Sequence, residues 1–119
     1  MSGRPLNEYE KEKLSPYIPQ EDLDNAVLHE GKVPWYTPKW AAGITRGSNI
    51  YLRRYNPDTP EGLSQLGHEL EHVRQYREGM TLAGYIWSCI RNGGYSKSRY
   101  EIVATAVQSK IKADLSQDT

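Results

Sequence analysis

Hydrophobic and polar positions in this chain repeat with two periods, one helical and one strand-like. From Pro60 onward, Leu63, Leu66, Leu70 and Val73 fall on one stripe of a helical wheel. Glu71, Arg74 and Glu78 occupy a solvent-like side, while His68 and His72 share a third arc with Gln65, Glu69 and Tyr76. A helix that only packs has no use for that third face. Asp58 or Thr59 can cap this helix, Pro60 suits its first position, and Glu61 favours its positive end. It is predicted to run to about Glu78 and to stop at Gly79. Two more helices are predicted, over Leu82–Arg91, ended by Asn92-Gly93-Gly94, and over 98–115.

Upstream the period changes to two. Ile50, Leu52 and Arg54 point one way and Tyr51, Arg53 and Tyr55 the other. Segments 41–45 and 49–55 flank the turn-rich Arg46-Gly47-Ser48, which predicts a β-hairpin. Segment 25–30 reads as a short strand. The stretch 31–40 holds Pro34 and Pro38 and reads as an irregular loop anchored by Trp35, Tyr36 and Trp40. Residues 1–20 are polar and carry Pro5, Pro16 and Pro19. They are expected to form an arm with a short helix over Glu8–Leu14. Residues 21–115 then make one domain and 116–119 a flexible tail. The expected fold class is α+β, a small antiparallel hairpin or three-stranded sheet packed on the long helix, with helix 98–115 behind it.

Charge narrows the function. Lys plus Arg and Asp plus Glu are each 15 in 119 residues, and the signs are interspersed, so no nucleic-acid or membrane partner is expected. The pair Arg53-Arg54 is too small for a phosphate-binding stripe. The start has no apolar leader segment and no apolar run reaches a membrane span, so a cytoplasmic protein is expected, with export by another route open. The oligomeric state is not legible. The single Cys89 excludes an internal disulfide and reads as a small core residue. Nine Tyr and three Trp with no Phe give rings with polar tips, suited to a core close to a cleft. Trp35, Trp40 and Trp87 read as core and cleft wall, and His29 as a strand or loop residue.

His68-Glu69-Leu70-Glu71-His72 is HExxH. Residues four apart on a helix lie one above the other, so two imidazoles can converge on one zinc ion. Glu69 projects beside that ion, where it can take a proton from a bound water and pass it to a leaving amine. A catalytic zinc needs a third protein ligand. The HExxHxxGxxH pattern does not supply it, because Gln75 and Glu78 stand at its Gly and His. Glu78 also lies about 240° around the helix from His72. Glu101 is the better candidate. It is the only carboxylate between Glu78 and Asp114, and it shares a helix face with Ala104, Thr105 and Gln108. Tyr85, Tyr95 and Tyr100 are candidate donors to a substrate oxyanion, with none assigned.

These residues resemble the small gluzincins, zinc metallopeptidases with HExxH and a glutamate ligand on a later helix. Segments 43–54 (GITRGSNIYLRR) and 67–76 (GHELEHVRQY) are similar to the core domain of contractile-injection-system effectors, including its hairpin followed by HExxHxxQ. Tyr100-Glu101-Ile102-Val103-Ala104 resembles the gluzincin E-x-x-A pattern, and the likeness covers about residues 41–110. It implies a minimal zincin-like fold, a metal site of His68, His72 and Glu101, and Glu69 as general base. It further implies an edge strand within 49–55 that aligns a peptide or protein substrate by backbone pairing, through Asn49, Ile50, Tyr51 and Leu52. Thr105 stands where several gluzincins have an Asp that orients a ligating His, so the outer hydrogen bonds must differ or be weaker. Some minimal gluzincins cover their cleft with a terminal segment, a role open here to the residues before Gln20 or after Leu115. The expected activity is zinc-dependent hydrolysis of peptide bonds, in an active or latent protein. The alternative is a silent, zinc-stabilised docking or effector-delivery domain.

Overall fold

The computed structural model describes residues 3–94 and 97–117. The elements run β1 (Gly3–Pro5), α1 (Glu8–Leu14), α2 (Gln20–Asn25), β2 (Val27–Glu30), β3 (Gly43–Arg46), β4 (Asn49–Leu52), α3 (Pro60–Arg77), α4 (Leu82–Arg91) and α5 (Arg99–Ser116). The class is α+β, as the periodicities indicate. The sheet is larger than expected and mixed, with four strands in the order β1-β2-β4-β3. Strand β4 pairs antiparallel with β3 and parallel with β2, and β1 closes the far side antiparallel to β2. The hairpin turns through Gly47, whose φ of 63° is in the left-handed region that glycine adopts without strain.

The expected arm is instead part of the folded unit. Asn7 and Glu10 form a reciprocal capping box at the start of α1. Leu6, Leu14 and Ile18 are buried at 4 % exposure or less and join Leu28, Ile50, Leu66 and Leu70 in the core. None of residues 3–20 lines either hollow beside the candidate site, so this segment does not cover the cleft. After Leu115 the chain completes α5 through Ser116; residues 118 and 119 lie outside the described residues.

Helix α3 starts as its sequence predicts. The Thr59 hydroxyl accepts from the Gly62 N–H at 3.0 Å, Pro60 follows, and Gly79 with φ 118° takes the chain out. Leu63, Leu66, Leu70 and Val73 face the core. The supposed wet side is partly covered. Glu71 is buried against Arg74, and Arg77 forks onto the buried Asp22 of α2 at 2.7 and 3.0 Å. Helices α3 and α5 make the most extensive contact in the molecule and run antiparallel. Gly67 permits that approach, because a Cβ there would sit 2.3 Å from Cδ1 of the buried Ile111.

Helix α4 has the predicted bounds but buries little. Only Ser88 is buried; Cys89 is half-buried, and Ile86, Trp87 and Ile90 are exposed. Trp35 is also exposed, so neither it nor Trp87 belongs to the core. No helix among the described residues is long and apolar enough to cross a membrane.

Candidate metal centre

Histidines 68 and 72 project from successive turns of α3 toward the first turn of α5, where Ser98 caps the helix and Glu101 follows. Their ring centroids lie 5.1 Å apart. His68 Nε2 is 2.9 Å from Glu101 Oε1, and His72 Nε2 is 3.1 Å from Glu101 Oε2. One ligating atom from each residue lies within 4.8 Å of the others, and among the described residues this is the one such cluster of three. His29 is not part of it. It stacks on Tyr51 and pairs with Asn49 in the sheet.

The surrounding bonds decide whether a metal fits. His68 Nδ1 bonds Gln108 Oε1 at 2.8 Å, and His72 Nδ1 bonds Gln75 Oε1 at 2.8 Å. Gln75 is itself held by its Nε2, which donates to the Tyr100 carbonyl at 3.2 Å. Each ring is anchored through Nδ1 and turns its Nε2 inward onto Glu101, the orientation in which a metal could take the place of the Nε2 proton. His72 Nε2 is buried and makes no hydrogen bond, since its short approach to Glu101 is out of line. Two imidazoles and a carboxylate suit zinc. The residues fit the ion.

Electrostatics agree. Burial opposes a charged His72, yet the nearby Glu101 and Glu69 outweigh it and raise its pKa. Burial alone would raise Glu101, but His68, His72 and the Tyr85 hydroxyl hold its carboxyl far below the usual range.

Glu69 is buried at 7 % exposure, and its Oε1 accepts from the Thr45 hydroxyl of β3 at 2.7 Å. It lies between two hollows. One, on the His72 side, is lined by residues including Ile44, Met80, Leu82 and Tyr85; the other, on the His68 side, includes Gln65 and Gln108. Trp40 borders both and is 65 % exposed, which makes it the cleft wall among the three tryptophans. Arg53 pins this rim by donating to the carbonyls of Ala41 and Pro38 at 2.8 and 2.9 Å.

The substrate strand requires correction. Asn49, Ile50, Tyr51 and Leu52 form β4, which is interior, with β2 on one side and β3 on the other. Its backbone is committed to those neighbours, and only Leu52 reaches a hollow beside the site. The edge strand next to Glu69 is β3, Gly43–Arg46. The sequence showed two paired runs but not which of them a third strand would cover.

Of the candidate tyrosines, Tyr85 donates its hydroxyl to Glu101 Oε2, which makes it a support of that carboxylate. The Tyr100 hydroxyl accepts from Arg99, and Tyr95 lies outside the described residues. Gln75 and Gln108 supply the outer hydrogen bonds that Thr105 does not. Their signal was spacing, three residues after His72 and seven after Glu101, but reading it requires knowing how α3 and α5 pair.

A family model described as the eCIS core domain matches residues 11–80, more than half of the chain. This chain belongs to the eCIS core domain family. No curated protein and no solved structure matches it. The matched span of this eCIS core domain protein contains the hairpin, His68, Glu69, His72 and Gln75, whereas Glu101 and Gln108 lie beyond it.

Replacing either glutamine by leucine is expected to weaken zinc binding by about 10- to 100-fold, as loss of outer partners commonly does. Zinc titration of Gln75→Leu and Gln108→Leu against the parent checks this, and unchanged affinity would remove the orienting role.

Proposed function

We propose that this eCIS core domain protein is a zinc-dependent metallopeptidase of the gluzincin type, acting on an extended peptide or protein segment. The observation that carries the reading is the convergence of His68, His72 and Glu101 beside Glu69, with both rings anchored through Nδ1. His68, His72 and Glu101 would hold the ion in a minimal zincin-like arrangement. Zinc, when bound, supplies Lewis acidity and lowers the pKa of a coordinated water toward about 7.

The chain's own groups do the rest. Thr45 orients the Glu69 carboxylate by its 2.7 Å bond to Oε1. Glu69 accepts the proton of the attacking water as the new C–O bond forms at the scissile carbonyl. It returns that proton to the amide nitrogen as the C–N bond breaks, leaving a carboxylic acid and an amine. The acid proton then passes to the amine to give a carboxylate and an ammonium group. Tyr85 steadies Glu101, and Gln75 and Gln108 steady the two rings. The apolar wall of Trp40, Ile44 and Leu82 limits water around Glu69.

A second reading is a catalytically silent, zinc-stabilised docking or delivery element of a contractile injection system. It is favoured by membership of the eCIS core domain family and by the exposed Ile86, Trp87 and Ile90 of α4. One experiment separates the two. The purified protein is titrated with zinc and then incubated with a peptide library. Near-stoichiometric zinc with cleavage that stops on chelation supports the peptidase. Zinc without cleavage supports the docking element, and no zinc binding overturns both.

A further inference from the structure

We propose that the apolar hollow on the His72 side of Glu69 is a recognition pocket for one bulky apolar side chain, aromatic or branched aliphatic, of a peptide lying along β3. The inference rests on the peptidase reading and names the substrate class of that site.

Size is the first argument. The hollow measures about 160 Å³, and a cavity of about 150 Å³ lined by apolar side chains accepts benzene. It holds one ring or one branched side chain and excludes a folded element.

Wall chemistry is the second. Trp40, Ile44, Met80 and Leu82 give most of the apolar lining, and Glu69 and Glu101 contribute carboxylates. An apolar occupant leaves water at a gain in free energy, whereas an acidic one meets two carboxylates. The hollow beside His68 shares Trp40 but carries Gln65 and Gln108 in place of Ile44, Met80 and Leu82, so its lining is more polar. The preference therefore belongs to one side of the scissile bond.

Position is the third. In an antiparallel ladder, alternate residues direct their N–H and C=O away from the partner. Because Arg46 closes the two-residue turn against Asn49, the outward residues of β3 are Gly43 and Thr45. The Tyr76 hydroxyl reaches the Thr45 carbonyl at 3.3 Å, a long contact that marks this carbonyl as facing the cleft. A peptide paired here has its backbone beside Glu69, and Ile44, between those two residues, lines the hollow. Trp40 and Leu82, which line this hollow, are 65 % and 36 % exposed. Apolar groups gathered at one opening mark a binding face, where scattered ones do not.

The test needs neither turnover nor metal. The full chain as purified, labelled at its Ile, Leu and Met methyl groups, is titrated with the N-acetyl amides of phenylalanine, leucine, aspartate and glycine. The first two are expected to shift the Ile44, Met80 and Leu82 methyl signals saturably, binding about tenfold or more tightly than the last two. Signals of the buried Ile111 are expected to stay in place. Leu82→Asp is expected to remove the preference. Equal shifts with all four amides, shifts elsewhere only, or a preference that survives Leu82→Asp would overturn the pocket. Selective shifts in a protein that cleaves nothing would uphold the pocket and overturn the peptidase reading. Cleavage without side-chain preference would do the reverse.

Discussion

Zinc-loaded protein carrying Glu69→Gln is expected to keep its metal and to lose peptide turnover by about 10²- to 10⁴-fold, the usual contribution of a positioned general base. Glu69 is not among the three converging donors, so zinc affinity is expected to change little. Glutamine has the shape of glutamate and retains an Oε1 that accepts from Thr45, so the geometry at β3 is kept. What it loses is the capacity to take a proton. Zinc content and turnover of one peptide, measured on parent and variant side by side, check both halves. A variant that cleaves as fast as the parent would assign proton transfer to another group.

The largest stability effect is expected far from the cleft. Glu10→Ala is predicted to lower the unfolding free energy by about 2–4 kcal/mol in urea at neutral pH. The Glu10 carboxylate is fully buried and accepts four bonds: Arg4 Nη1 at 3.0 Å, Arg4 Nη2 at 2.9 Å, the Asn7 N–H at 2.9 Å and the Tyr55 hydroxyl at 2.6 Å. Truncation strands the Tyr55 hydroxyl and unties β1 from α1. Arg4 is 34 % exposed and can return to water, which keeps the cost below the top of the range for a broken buried pair. The sign of the pH effect follows from the direction of the shift. Burial raises the Glu10 pKa, but Arg4, Tyr55 and the Asn7 N–H outweigh it and hold it below the ordinary 4.5. Its contribution is therefore fully present above 4.5 and is lost as pH falls through the lowered folded value. The parent is expected to lose stability on that acid limb more steeply than the variant. A variant within about 0.5 kcal/mol of the parent would show that this buried carboxylate adds nothing net.

Local signals were the readable ones. The Thr59-Pro60 cap, the Leu63-Leu66-Leu70-Val73 stripe and the glycine turns announce α3, α4 and the hairpin, because each depends on neighbours a few residues away. HExxH is legible for the same reason. Pairings distant along the chain were not. The parallel contact of β2 with β4 turns the expected edge strand into an interior one, and nothing within 49–52 records it. The opening segment looked like a polar arm because Leu6, Leu14 and Ile18 are spaced too irregularly to form a stripe, though all three are buried. Glu71 looked solvent-facing because its charge is visible in the sequence and its burial against Arg74 is not. Gln75 and Gln108 acquire meaning only when two helices meet.

The strand order has one more consequence. The sheet ends at β1 on one side, a three-residue strand with a proline that lacks an N–H, and at β3 on the other. An incoming segment that pairs with the better of these edges arrives at Glu69 by the same act. A helix has already spent its backbone groups internally and has none to offer. Under the peptidase reading, the first filter on a target is thus its foldedness: a stretch that is already unwound is admitted, and a structured one must open before any side chain is inspected.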